Sequence, residues 1–222
     1  MKIVFFGDSV TEGVFELMNN PQGGFDSVFD KDHVYHKILI EKLKNAYSGV
    51  AFEGVNMGVA GNSSKDGLER VDKVLMQKPD LTVVCFGLND AYMRDEKSYG
   101  DNMNAIFKTI KSGGGKCVFL TPNMMNTYVA EGTLPVLYKT AEDCAACQNE
   151  GIMDKLVSVG KTCAKENGVY IADAYAEWKK LAYYGVDTTK LLANKINHPT
   201  REMHRLFADV LFCAIRDNNL VL

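Results

Sequence analysis

What the sequence lacks narrows it first. No apolar run is long enough for a signal-peptide core or a bilayer span, and near the N-terminus only Ile3 to Phe6 is continuous. The expectation is a soluble, cytoplasmic chain with no membrane span. There is no basic arm or face either: 25 Lys and Arg are interspersed with 28 Asp and Glu, a formal net charge of −3. Binding to a phosphate backbone therefore has little electrostatic support, and no nucleic-acid partner is expected. Repeats, low-complexity tracts and long linkers are absent, so 222 residues with 46% apolar content read as one domain over residues 1–222.

Metal and redox signatures are also missing. Cys144-x-x-Cys147 falls in a helical pattern with no second CxxC and no histidine nearby, and His33 and His36 have no third ligand at a suitable spacing. The six cysteines lie mostly in apolar segments, which suits buried, reduced thiols. No G-x-x-x-x-G-K-[ST] phosphate loop occurs. The expectation is no cofactor and no metal.

What is present is a regular alternation of short apolar runs and helical periodicities. Strands are expected at Lys2 to Phe6, Val50 to Val55, Leu81 to Phe86, Cys117 to Leu120 and Val169 to Ala172. Helices are expected at His33 to Tyr47, Ser64 to Gln77, around Met103 to Ile110, Leu137 to Glu166 with a break near Gly151, Asp173 to Tyr183, and Thr200 to Arg216. Val14 to Asp32, with its Asn-Asn-Pro-Gln-Gly-Gly cluster, reads as a surface loop, and Asn123 to Pro135 as an apolar wall or lid. This order predicts an α/β fold: a five-stranded parallel sheet covered on both faces by right-handed crossovers. Such sheets bind ligands beyond the carboxyl ends of their strands, so the turns at Ser9, Gly61 and Asn89 should share one rim.

The first of those turns, Gly7-Asp8-Ser9-Val10-Thr11-Glu12-Gly13, organises the rest. It presents a hydroxyl where a strand stops and a helix begins, a place whose free N–H groups favour developing negative charge. Ser9-x-x-Glu12 is equally a capping box, in which both side chains only satisfy helix donors. An acyl-transfer site needs a nucleophile, a base within reach and donors for an oxyanion. Ser9 can be the first, and its N–H with that of Gly61 and the Asn89 side-chain amide can be the donors. Of four histidines, only His198 stands in an extended, proline-followed segment before a helix, so it is the candidate base. Thr11 stands where a G-x-S-x-G nucleophile elbow needs its second glycine, which excludes the α/β-hydrolase pattern.

Taken together, Gly7-Asp8-Ser9, Gly61, Gly87-x-Asn89-Asp90 and His198-Pro199, in that order from Lys2 to about Ala214, resemble the four blocks of the SGNH hydrolases, or GDSL-type esterases. The resemblance implies a flavodoxin-like three-layer α/β/α sandwich and an acylesterase without metal or organic cofactor. Ser9 would be the nucleophile, His198 the base, and Ser9, Gly61 and Asn89 the oxyanion hole. It implies short-chain acyl esters, acetyl among them, borne on small molecules or carbohydrates. Asp8 and Asp90 read as turn and cap residues. One departure stands out: the family places an aspartate three residues before the histidine, and here that position is Lys195. Asn194, Asn197, a backbone carbonyl or the distant Asp187 are the candidates to orient the ring. The competing functions are an acyltransferase on the same residues, a sugar-ester-binding pseudoenzyme, and a flavin carrier that leaves Gly61, Asn89 and His198 unexplained.

Overall fold

The structure is a computed structural model that describes residues 1–221. Its first strand, β1 (Lys2–Gly7), is the apolar run expected there, and Ile3 to Phe6 are wholly buried. The chain then makes a single helical turn, α1 (Ser9–Glu12), and enters an antiparallel pair, β2 (Val14–Asn19) and β3 (Phe25–Phe29). The segment expected as a surface loop is thus a hairpin. Only Val14 and Phe15 of its strands are buried and the rest are exposed or half-buried, so they carry no clean alternation, and Asn20 to Gly24 close the turn through Asn20 Oδ1, which accepts from Gly24 N at 2.8 Å.

From there the alternation resumes: α2 (Tyr35–Ala46), β4 (Glu53–Gly58), α3 (Ser64–Met76), β5 (Leu81–Cys85), α4 (Glu96–Ser112), β6 (Lys116–Leu120), α5 (Tyr138–Asn149), α6 (Ile152–Glu166), β7 (Tyr170–Ala172), α7 (Ala174–Tyr183) and α8 (Arg201–Asp217). The five strands of the main sheet lie in the order β4-β1-β5-β6-β7, every pair parallel. The expected break near Gly151 separates α5 from α6. Strand β4 begins three residues later than its apolar residues suggest. It is an edge strand held by backbone pairing to β1, with Glu53, Gly54 and Asn56 exposed, so hydrophobicity does not mark it.

Buried side chains from the sheet and from the flanking helices form one continuous core, with Phe5, Phe6, Phe86, Phe107 and Phe119 among its largest members. The central strand β5 is buried at every position, as a strand covered on both faces must be. The chain leaves β1 for β4 on one side and then crosses to β5 on the other. That reversal of strand order sets the carboxyl ends of β4, β1 and β5 side by side, with Gly7 in register with Gly58 and Cys85.

Candidate active site

Ser9 sits in a turn pressed hard against the sheet. A Cβ on Gly7 would lie 2.2 Å from Thr11 Oγ1 and 2.6 Å from the Cys85 carbonyl, so glycine is required there by close approach. The capping-box reading of Ser9 does not hold. Asp8 is the N-cap, its carboxylate accepting from Val10 N at 3.0 Å, while the Glu12 carboxylate accepts from Ala60 N across the rim. Burial raises the Asp8 carboxyl to about 7. Since α1 is a single turn, any helix contribution at Ser9 reduces to its local N–H groups.

The Ser9 side chain is free for another partner, and that partner is His198. Ser9 Oγ lies 2.9 Å from His198 Nε2, across 189 residues of chain. His198 Nδ1 lies 3.3 Å from the carbonyl oxygen of Phe15. A carbonyl can only accept, so this contact assigns the proton to Nδ1 and leaves Nε2 as the acceptor for the serine hydroxyl. Burial pushes His198 down to about 4, so the ring is neutral at pH 7 and able to take a proton.

The candidate donors close the same rim. Gly61 has a left-handed φ of +78°, and the space a side chain would occupy is open, so its backbone stands exposed, while the preceding Ala60 N donates to Glu12 of Ser9's turn. Asn89 donates one amide N–H to the Asn62 carbonyl at 2.9 Å, which leaves its second N–H uncommitted. Asp90 accepts from the backbone and hydroxyl of Ser64 and so ties the turn after β5 to the start of α3, the turn role expected of it.

Arg70, which nothing in the sequence singles out, holds these turns together. Its guanidinium donates to the Gly7 carbonyl at 2.8 Å, the Met57 carbonyl at 2.7 Å and Asn62 Oδ1 at 2.7 Å, and it lies over the Phe6 ring. One planar fork therefore sets the spacing of β1, β4 and the Gly61 turn.

The three side chains expected to orient the histidine do other things. Asn194 Oδ1 accepts from the backbone N–H groups of Ile196, Asn197 and His198, which shapes the loop rather than the ring. Asn197 Oδ1 accepts from the Asn194 amide. Asp187 accepts from the Tyr128 hydroxyl at 2.7 Å and pairs with Lys190. Lys195, at the family's aspartate position, has φ +63° and points its ammonium at the Glu131 carbonyl. Of the alternatives open in the sequence, the backbone carbonyl is the one in contact, and it belongs to Phe15. No sequence signal could have named it, because every residue carries a carbonyl. Among the described residues no group of three His, Cys, Asp or Glu side chains could hold a metal ion.

A family model described as the GDSL-like Lipase/Acylhydrolase family matches residues 5–206. No curated protein matches the sequence. Among solved structures the fold is similar to the acetyl xylan esterase AlAXEase, at 19% identity and a TM-score of 0.71, covering 97% of this chain and 100% of that one. It is also similar to an acetylxylan esterase from Geobacillus stearothermophilus, at 20% identity, TM-score 0.68 and 97% and 93% coverage. A third is described as an alpha/beta hydrolase enzyme from the metagenome of Lake Arreo, Spain, at 17% identity, TM-score 0.70 and 96% and 94% coverage.

Proposed function

Because the chain belongs to the GDSL-like lipase/acylhydrolase family and is a carboxylic ester hydrolase, we propose that it works through an acyl-enzyme on Ser9, with His198 as general base and acid. The observation that carries this reading is the 2.9 Å contact between Ser9 Oγ and a neutral His198 Nε2. Ser9 Oγ attacks the ester carbonyl carbon and passes its proton to Nε2. The carbonyl oxygen becomes an oxyanion held by the N–H groups of Ser9 and Gly61 and the free amide N–H of Asn89. As the tetrahedral intermediate collapses, His198 returns the proton to the departing alkoxide and leaves Ser9 acylated. Water, deprotonated by the same nitrogen, then attacks the acyl carbon, and the acid and free Ser9 are released.

The substrate class we propose is short acyl esters, acetyl foremost, borne on small molecules or carbohydrates. Two similar structures are described as acetyl xylan esterases, and serine-to-alanine and histidine-to-alanine variants of one are described as catalytic mutants, which supports the reading. The orienting group we propose for His198 is the Phe15 carbonyl, which fixes the tautomer but adds no full negative charge.

The test is hydrolysis of p-nitrophenyl acetate, butyrate and octanoate by wild type, Ser9→Ala and His198→Ala. Acetate should be the best substrate, and each substitution should lower kcat by about 1,000-fold or more. Equal turnover by wild type and Ser9→Ala would reject the serine mechanism.

A further inference from the structure

His198 lacks an aspartate, yet carboxylates stand close behind it. The register of the hairpin shifts between Val14 and Leu17: Val14 pairs with Phe29 and Leu17 with Ser27, so Phe15 and Glu16 together face Val28. This is a β-bulge, a device that re-aims one residue of a strand. Here the carbonyl of a bulged residue reaches His198 Nδ1. The next residue, Glu16, accepts from Arg201 Nη1 at 2.6 Å and from Nη2 at 3.4 Å. Arg201 Nε donates to Asp30 at 2.7 Å, and Asp30 follows β3. One guanidinium therefore bolts both ends of the bulged hairpin to the first turn of α8.

The same turn grips Phe15 itself. The Arg201 guanidinium lies 4.6 Å from the centre of its ring, and the His204 ring, one helical turn on, lies 4.4 Å from it. His198 stands two residues before the N-cap of that helix, Thr200. Base and orienting carbonyl are thus both referred to the start of α8. We propose that Arg201, with Glu16 and Asp30, forms a positioning cluster that holds the Phe15 carbonyl on His198 and places the Glu16 carboxylate behind the ring, in the office of the missing aspartate. The inference rests on the serine-histidine reading above.

The Arg201 guanidinium lies between two carboxylates, one of which, Asp30, also meets His33 Nδ1 at 2.9 Å, and Glu16 is among the groups that raise His198's affinity for a proton. The other titratable groups about the ring and the cluster are His204 on α8, with His36 of α2 behind it, and His33 against Asp30. Lys195, in the ring's own loop, is turned away to Glu131. Removing Glu16's charge should therefore lower the His198 pKa.

The experiment is a pH series of kcat and KM on p-nitrophenyl acetate for wild type, Glu16→Gln, Arg201→Lys and Arg201→Met, with Ser9→Ala and His198→Ala alongside. The His198 ring is also titrated by NMR through its carbon-bound protons, a reading that needs no substrate. Arg201→Lys keeps the charge but loses the fork: kcat should fall about 10- to 100-fold with KM little changed. Glu16→Gln should lower the ring titration by about half a pH unit or more, and Arg201→Met, which loses charge and fork together, should lower kcat at least as far as Arg201→Lys. The proposal is overturned if Arg201→Lys keeps wild-type kcat, or if Glu16→Gln leaves the titration where it was. Should Arg201→Met fail to fold, those two variants still decide. If Ser9→Ala and His198→Ala keep full turnover, the serine mechanism has failed, and the ring titration still reports on the cluster.

Discussion

At the scale of single residues, the histidines show how burial sets chemistry. His36, His198 and His204 are all buried, and desolvation lowers them to about 4, 4 and 3 from an ordinary 6.5. A base at about 4 is neutral over the whole physiological range, so kcat/KM should hold level from pH 7 down to about 5. An acid limb at 6.5 or above would show His198 to be ordinary. The same shifts have a cost in stability whose sign is definite. Between about 4 and 6.5 the unfolded chain protonates these three rings while the native state leaves them neutral. Buried Asp8 and Asp90 oppose this, since their raised pKa values favour the native state's holding protons. Three rings outweigh these two carboxyls, so stability should fall on acidification through this window. Urea denaturation at pH 6.5 and 5 measures it, and a midpoint that rises toward acid would contradict the burial of these rings.

Elements act here mostly by holding turns in place. Helix α3 contributes Arg70, whose three bonds span the ends of β1 and β4 and the Gly61 turn, so its guanidinium replaces what a longer strand pairing would otherwise supply. A lysine can reach one of those oxygens but cannot match the fork. Arg70→Lys should therefore lower stability by about 2 kcal/mol and kcat by about tenfold, through displacement of Gly7 and Gly61. Thermal melts and kcat on p-nitrophenyl acetate check both, and unchanged values would mean the turns hold without it. The turns that carry Ser9, Gly61, Asn89 and His198 were legible because each stands next to a strand or helix whose periodicity is plain. The hairpin was not, because its half-exposed strands show neither a buried run nor a strict alternation. With it went the Phe15 carbonyl and the partners of Arg201.

For the molecule as a whole, the cysteines test how closed the core is. Cys85, Cys117, Cys144, Cys147 and Cys163 are buried and Cys213 is exposed on α8, all six free. Burial raises the thiols of the five buried ones, which further reduces their reactivity. Iodoacetamide on the native protein should label Cys213 alone, and in urea all six, as counted by mass spectrometry. Rapid labelling of Cys144 or Cys147 in the native state would show that the packing between α5 and the turn after β5 opens readily.

The amino-acid sequence by itself determined the order of the main sheet's strands with their helices and the turns that carry Ser9, Gly61, Asn89 and His198, because apolar periodicity and turn chemistry are local and written in residue type. Only the tertiary structure decided what stands behind the histidine. Phe15 acts through a backbone atom, and Glu16 and Arg201 meet across 185 residues, with Asp30 brought in by the same hairpin. Such a meeting depends on a strand bulge and on where α8 begins, and neither follows from the identity of any single residue.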